Sequence, residues 1–208
     1  MNEFISYLNS VCAFLVIVPL CCVLFYKQLI GKLRYLVAYL LVAFCTELVT
    51  YTATRFYNYT IPNSGAYFTL FEVGIVSLML AQWNTQRKFR YGLIVLLYSL
   101  LWLVCMLATN GPWYNLLFGV ARVGLLIACM YFLSESIKHT YPNWMRTIVL
   151  AFLSNQAFTA TIFAYMQFFI EHANTTFINV YFFINAIANA VLYTLVTIGI
   201  LQCRKQSF

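Results

Sequence analysis

Seven apolar stretches follow one another along this chain, each about as long as a helix must be to cross the hydrocarbon of a bilayer. They run over 5–26, 34–54, 65–83, 90–109, 114–134, 147–170 and 177–202. The linkers between them are short and polar, none longer than about a dozen residues, which leaves no room for an aqueous catalytic or DNA-binding domain. Turn chemistry marks several breaks, at Ile61-Pro62-Asn63, Asn110-Gly111-Pro112 and Tyr141-Pro142-Asn143. The predicted fold is all-α: one domain over 1–208, a seven-helix transmembrane bundle whose solvent is the lipid bilayer. Charge usage agrees, since charged residues fill 8% of the 208 positions, roughly a third of a soluble domain's share. The opening segment Met1 to Ser10 lacks a basic leader and contains Glu3, so the first run is expected to stay as a span.

The basic residues set the orientation. In a seven-span arrangement Lys27, Lys32, Arg34, Arg87, Lys88, Arg90, Lys138, Arg146, Arg204 and Lys205 share one side, against Arg55 alone on the other. The N-terminus is therefore expected outside and the C-terminus in the cytoplasm. Tyr57, Tyr59, Trp113 and Tyr114 then fall at the outer interface, with Trp83, Tyr91, Tyr141 and Trp144 at the inner one, as an aromatic belt. The net charge of +7 follows from this orientation and from attraction to anionic lipid heads, so direct nucleic-acid binding is not expected.

Much chemistry can be set aside. The chain contains no Asp, which excludes an intramembrane aspartyl protease. His139 and His172 fall on opposite sides, and neither Cys-x-x-Cys nor His-Glu-x-x-His spacing occurs, so no metal site or other cofactor is expected. No lysine lies in the core of the last span, which rules out a retinal Schiff base. Six of the seven cysteines lie within apolar runs and read as small buried hydrophobes, with Cys203 at the end of the last helix.

Against this apolar background three ionisable side chains lie deep in spans: Glu47 in the second, Glu72 in the third and Arg122 in the fifth. Each costs on the order of 2.5–3.5 kcal/mol in hydrocarbon even on lenient scales, so each needs a partner or a task. Glu47 stands seven residues before Thr54, Glu72 seven after Gly65 and Arg122 eight after Tyr114. At about 1.5 Å per residue, all three lie roughly 10–12 Å below the outer surface, in one layer. The last span adds Tyr181, Asn185, Asn189 and Tyr193 at every fourth position, a polar stripe reaching the same depth. The second span offers Glu47, Thr50, Tyr51 and Thr54, and the sixth adds Asn155, Gln156 and Thr159 nearer mid-membrane. These residues predict a polar pocket open to the outside, bounded by the second, third, fifth and seventh spans. They also admit a structural reading, with Glu72 and Arg122 as an ion pair and the asparagines as interhelical bonds worth about 0.6 kcal/mol apiece. Small residues at Gly119, Gly124 and Ala128, and at Ala186 and Ala190, would let helices approach closely, within one chain or in a homo-oligomer.

The run Asn63-Ser64-Gly65-Ala66-Tyr67-Phe68-Thr69-Leu70-Phe71-Glu72, after a helix carrying Glu47 and before Asn185-Ala186-Ile187-Ala188-Asn189, resembles a group of multi-pass membrane proteins common in Bacteroidota. Proteins of similar build accompany the RNA-guided RNA-cutting effector of type VI-B CRISPR loci. The resemblance implies a bacterial cytoplasmic-membrane location and, for that subset, an accessory role.

Two functions are consistent with the residues. In the first, the layer of Glu47, Glu72, Arg122, Tyr181, Asn185 and Asn189 binds or passes a small polar solute or ion, with Arg122 attracting an anion or holding Glu72 ionised. In the second, the chain is a sensory or accessory protein whose basic inner loops, Arg87 to Arg90 and Lys138 to Arg146, contact a cytoplasmic partner. Neither is an enzyme, and the one enzymatic alternative the residues leave open is an intramembrane reaction with Glu47 or Glu72 as acid or base.

Overall fold

The computed structural model describes residues 2–57, 59, 64–84, 88–107, 113–171 and 175–206; side chains are described outside 2–6, 9, 64–66, 105–107, 113–118, 162–171, 175–179 and 181. The described residues are helical and contain no strand. Among the described residues eight α-helices occur, α1 (Asn2–Phe14), α2 (Ile17–Phe25), α3 (Arg34–Tyr57), α4 (Ser64–Trp83), α5 (Lys88–Leu107), α6 (Trp113–Lys138), α7 (Asn143–Glu171) and α8 (Thr175–Lys205), with a single 3-10 turn at Lys27–Leu29 between α2 and α3. Among the described residues three stretches are long and apolar enough to cross a membrane: Arg34–Tyr57, Gly119–Lys138 and Phe182–Lys205.

The first expected helix is broken between α1 and α2, and Pro19 is the cause. Pro19 has no N–H to donate to the Leu15 carbonyl, and its ring crowds that carbonyl. The chain tightens instead, with Leu15 N bonded to Cys12 O at 3.3 Å and Val18 N to Leu15 O at 3.0 Å. Several other helices outrun their apolar cores. α6 continues through Ser134, Glu135, Ser136 and Lys138, where the sequence suggested a loop. It stops ahead of Tyr141-Pro142 because a residue before proline is driven from helical geometry. The Pro142 carbonyl accepts from Met145 N at 3.1 Å and starts α7, while Arg146 Nη2 donates to the Ser136 carbonyl at 2.6 Å and satisfies the end of α6.

The helices close into a ring. α8 packs on α7, α7 on α6, α6 on α4, α4 on α3, and the α1–α2 arm bridges α3 back to α8. α5 stands outside this ring against α4 and α6. The core fills the half of the ring toward Trp83 and Trp144, with Leu36, Leu40, Met79, Leu80, Leu125, Phe132, Ile148 and Phe152 almost wholly buried. At that end Trp83 meets Trp144 edge-on, ring centroids 5.2 Å apart, and Phe132 stacks on Tyr141 at 5.3 Å. Trp83, Tyr91 and Trp144 are buried, so these aromatic residues turn into the bundle rather than outward as a belt. For the two tryptophans, which meet edge to face, mutual packing takes the place of exposure.

Two expectations about small residues need correction. A Cβ built on Gly119 or Gly124 meets nothing within 4 Å, so neither marks a close approach inside this chain. Gly124 instead lines an apolar cavity of about 210 Å³ between α4, α5 and α6. The tight crossing is at Gly199 on α8, where a Cβ would come within 2.5 Å of Ile148 Cγ1 and 3.2 Å of the Trp144 carbonyl on α7. The cysteines divide as well. Cys12, Cys129 and Cys203 are buried, but Cys21 and Cys45 are exposed on the outside of the helices.

Candidate functional site

Glu72 on α4 and Arg122 on α6 face each other across the ring, Arg122 Nη1 lying 2.6 Å from Glu72 Oε2. Gln156 on α7 completes a closed circuit. Its Oε1 accepts from Arg122 Nη1 at 3.0 Å, and its Nε2 donates to Glu72 Oε1 at 3.0 Å. The exposures are 1% for Glu72, 5% for Arg122 and 0% for Gln156, so three helices are tied together out of reach of bulk solvent. Charge-assisted bonds of this kind are among the stronger ones available to side chains. They also meet the rule that a buried charge must be paired and hydrogen-bonded.

Above this circuit opens a polar cavity of about 200 Å³. Helical periodicity explains which residues reach it. α3 contributes Tyr39, Ala43, Thr46, Glu47 and Thr50, all on one face of the helix, and α4 contributes Phe68 and Glu72 one turn apart. Asn155 and Thr159 come from α7, Asn185, Asn189 and Tyr193 from α8, and Arg122 from α6. The pocket is thus bounded by five helices rather than four, with α7 as the addition. Tyr51 and Thr54, expected on the polar face of α3, are exposed and point away from it. Aromatic contacts hold the wall: Tyr39 lies edge-on to Phe152 at 4.9 Å and tilted against Phe68 at 6.2 Å.

The expected layer of three charges is only partly a cluster. Glu72 and Arg122 meet, whereas Glu47 lines the same cavity and makes no hydrogen bond or ion pair among the described residues. Glu47 is half-buried, in contrast to the enclosed circuit beneath it. Asn185 and Asn189 line the cavity as expected, and Tyr181 lies outside the residues whose side chains are described.

Gln156 is the participant that depth counting from the outer surface missed. Counting from the inner ends finds it: Glu72 stands eleven residues before Trp83, and Gln156 twelve after Trp144. The contact between those tryptophans fixes the two helices in register, which brings the carboxamide level with the carboxylate.

The threonines carry a further detail. Thr46 Oγ1 donates to the Val42 carbonyl at 2.8 Å, and Thr159 Oγ1 donates to the Asn155 carbonyl at 2.7 Å. Their hydroxyl hydrogens are spent on their own helices, so these oxygens present acceptor lone pairs to the cavity. Among the described residues no group of His, Cys, Asp and Glu side chains could hold a metal ion. Comparison with protein families, with curated proteins and with solved structures finds no match to this chain.

Proposed function

We propose that the chain crosses a membrane seven times, N-terminus outside and C-terminus cytoplasmic, and that its polar cavity binds a small polar solute or ion from the outer side. The α1–α2 arm counts as one crossing in this arrangement. The observation that carries the reading is the Glu47 carboxyl, without a hydrogen bond or ion pair among the described residues, in a cavity of about 200 Å³ whose other two charges, Glu72 and Arg122, pair with each other. A bundle needing only structural glue would have no reason to keep a half-buried acid without a partner. The Glu72–Arg122–Gln156 circuit forms the cavity floor, and beneath it lies the apolar core around Met79, Leu125 and Phe152. Binding in a blind pocket therefore fits the geometry better than an open pore, and passage of a solute would require the floor to part.

The test is accessibility from outside. In a chain with all seven native cysteines replaced by alanine, a cysteine at Thr50 or Asn185 should react with a membrane-impermeant methanethiosulfonate reagent added to intact cells. A cysteine at Met79, below the floor, should not. Reaction only after the cells are permeabilised would reject the outward pocket.

One observation favours the accessory reading as well. Phe89 and Ile137 are each 80% exposed beside Lys88, Arg90 and Lys138, an apolar and basic surface at the proposed cytoplasmic end. Arg87 lies outside the described residues. Part of the charge there is engaged: Arg90 Nη1 donates to Tyr131 Oη at 2.8 Å, and Arg204 Nη1 to Tyr26 Oη at 2.7 Å. A soluble protein that co-purifies in stoichiometric amount and is lost on Phe89→Ser with Lys88→Gln would support this role.

A further inference from the structure

The charges and hydrogen-bonding groups of the cavity constrain what can occupy it. Arg122 faces Glu72 and Gln156 and closes the floor, so its positive charge is already balanced where an incoming anion would need it. Glu47 is the one charge on the wall without a salt bridge among the described residues, which leaves the site one negative charge in excess when that carboxyl is ionised. An anionic solute would meet Glu47 without a free cation to offset it, and the repulsion is unscreened where water is scarce.

The neutral wall holds both kinds of group: the Asn155, Asn185 and Asn189 carboxamides and the Tyr39 and Tyr193 hydroxyls can each donate or accept, and two threonines add acceptors close to Glu47 in the chain or across the cavity. Thr46 and Thr159 offer acceptor oxygens, because their hydroxyl hydrogens are donated to Val42 and Asn155. An ionised Glu47 is acceptor-only. The complementary ligand is therefore a donor with a positive charge, and an ammonium group, with three N–H donors and no acceptor, is such a ligand. Size narrows the choice further. The cavity of about 200 Å³ has room for several waters at about 30 Å³ each, so a lone dehydrated metal ion would leave most of it unfilled. Tyr39, Phe68 and Tyr193 supply aromatic surface on the same wall, which suits both the carbon part of an organic cation and its charge.

We infer that the cavity takes a small primary-amine cation, its ammonium group on Glu47 and the Thr46 and Thr159 oxygens, and its carbon atoms against the aromatic wall. This rests on the outward-pocket reading above and adds the chemical class of ligand. Glu47 is its charge partner, and the Glu72–Arg122–Gln156 circuit is scaffold rather than ligand contact.

The experiment uses the purified full chain in detergent at constant ionic strength, wild type beside Glu47→Gln. Equilibrium dialysis with radiolabelled ethylammonium gives the affinity, and thermal unfolding gives the protection by ethylammonium, tetramethylammonium, sodium, acetate and acetamide. The expected result is protection by ethylammonium, at least tenfold weaker binding in Glu47→Gln, and little effect of tetramethylammonium, which has no N–H to donate. Protection by acetate, by acetamide or by sodium as strong as that by ethylammonium would overturn the amine assignment and leave a binding pocket standing. Equal ethylammonium affinity in Glu47→Gln would overturn it too. If no solute of any charge protects the wild type, while the Thr50 and Asn185 cysteines remain accessible from outside, the ligand class fails and the pocket's outward opening survives. If those cysteines are also unreactive, both readings fail.

Discussion

Glu72 and Arg122 make an ion pair at 2.6 Å between α4 and α6, with both side chains almost fully enclosed. Breaking such a pair from one side leaves a buried charge without compensation, at a cost of about 3–5 kcal/mol, whereas removing both charges together can be close to neutral. Glu72→Gln and Arg122→Gln should each lower the unfolding midpoint in detergent sharply, and the double variant should recover most of the loss. A double variant as unstable as the sum of the singles would show that the two residues act independently.

Gly199 sits where α8 presses on α7, and an added methyl would push on both the buried Ile148 side chain and the Trp144 carbonyl. Gly199→Ala should destabilise by about 1–3 kcal/mol, and Gly199→Leu by more. Gly124→Ala, which projects into open space, should change stability little. Thermal unfolding of the variants side by side checks the contrast, and equal losses at both glycines would contradict the crossing.

Trp83 is buried against Trp144 and Phe132 at the inner end of the bundle. Trp83→Ala should cost about 3–5 kcal/mol, the range for truncating a large core aromatic residue. Trp83→Phe should cost clearly less. Because this contact sets the register of α4 against α7, the alanine variant should also raise the reactivity of a cysteine placed at Gln156. Loss of stability with no change at Gln156 would separate the aromatic contact from the polar circuit.

The proposed orientation predicts which loops are reached from which side. In the cysteine-free background, a cysteine at the exposed Tyr59 should be labelled in intact cells by an impermeant maleimide. One at the exposed His139 should be labelled only after permeabilisation. The reverse pattern would invert the chain, and labelling of both in intact cells would dispose of the odd number of crossings.

Much of this arrangement is legible in the sequence, because long apolar runs leave the backbone few choices. Long apolar runs must be helices to satisfy their own N–H and C=O groups, so helix positions follow from hydropathy alone. Burying Glu72 and Arg122 without a pair would be prohibitive, and their pairing was foreseeable from equal depth. What was not legible depends on rotation and tilt. Tyr51 and Glu47 are neighbours at adjacent turns, yet Tyr51 lies edge-on to Phe14 of α1 while Glu47 lines the cavity, and only the packing of α3 against its neighbours decides which. Gln156 looked too deep because depth was measured from the outer ends of helices of unequal length. Pro19 was passed over as a break because it lies inside a long apolar run. The Gly199 crossing carried no signal, since a single glycine without a small-residue partner four positions away resembles any other.

The interval between Trp83 and Glu72 has a consequence for how this chain can change over time. Eleven residues make three helical turns plus about 20°, so the tryptophan and the carboxylate share nearly one face of α4. Apolar exchanges within 73–82 leave that phase untouched. A single inserted or deleted residue would swing Glu72 through about 100° and shift it by about 1.5 Å, stranding its charge away from Arg122 while the inner aromatic contact held. The segment is therefore tolerant in composition and locked in length, and natural variants of this bundle should differ there by substitution and never by a one-residue gap.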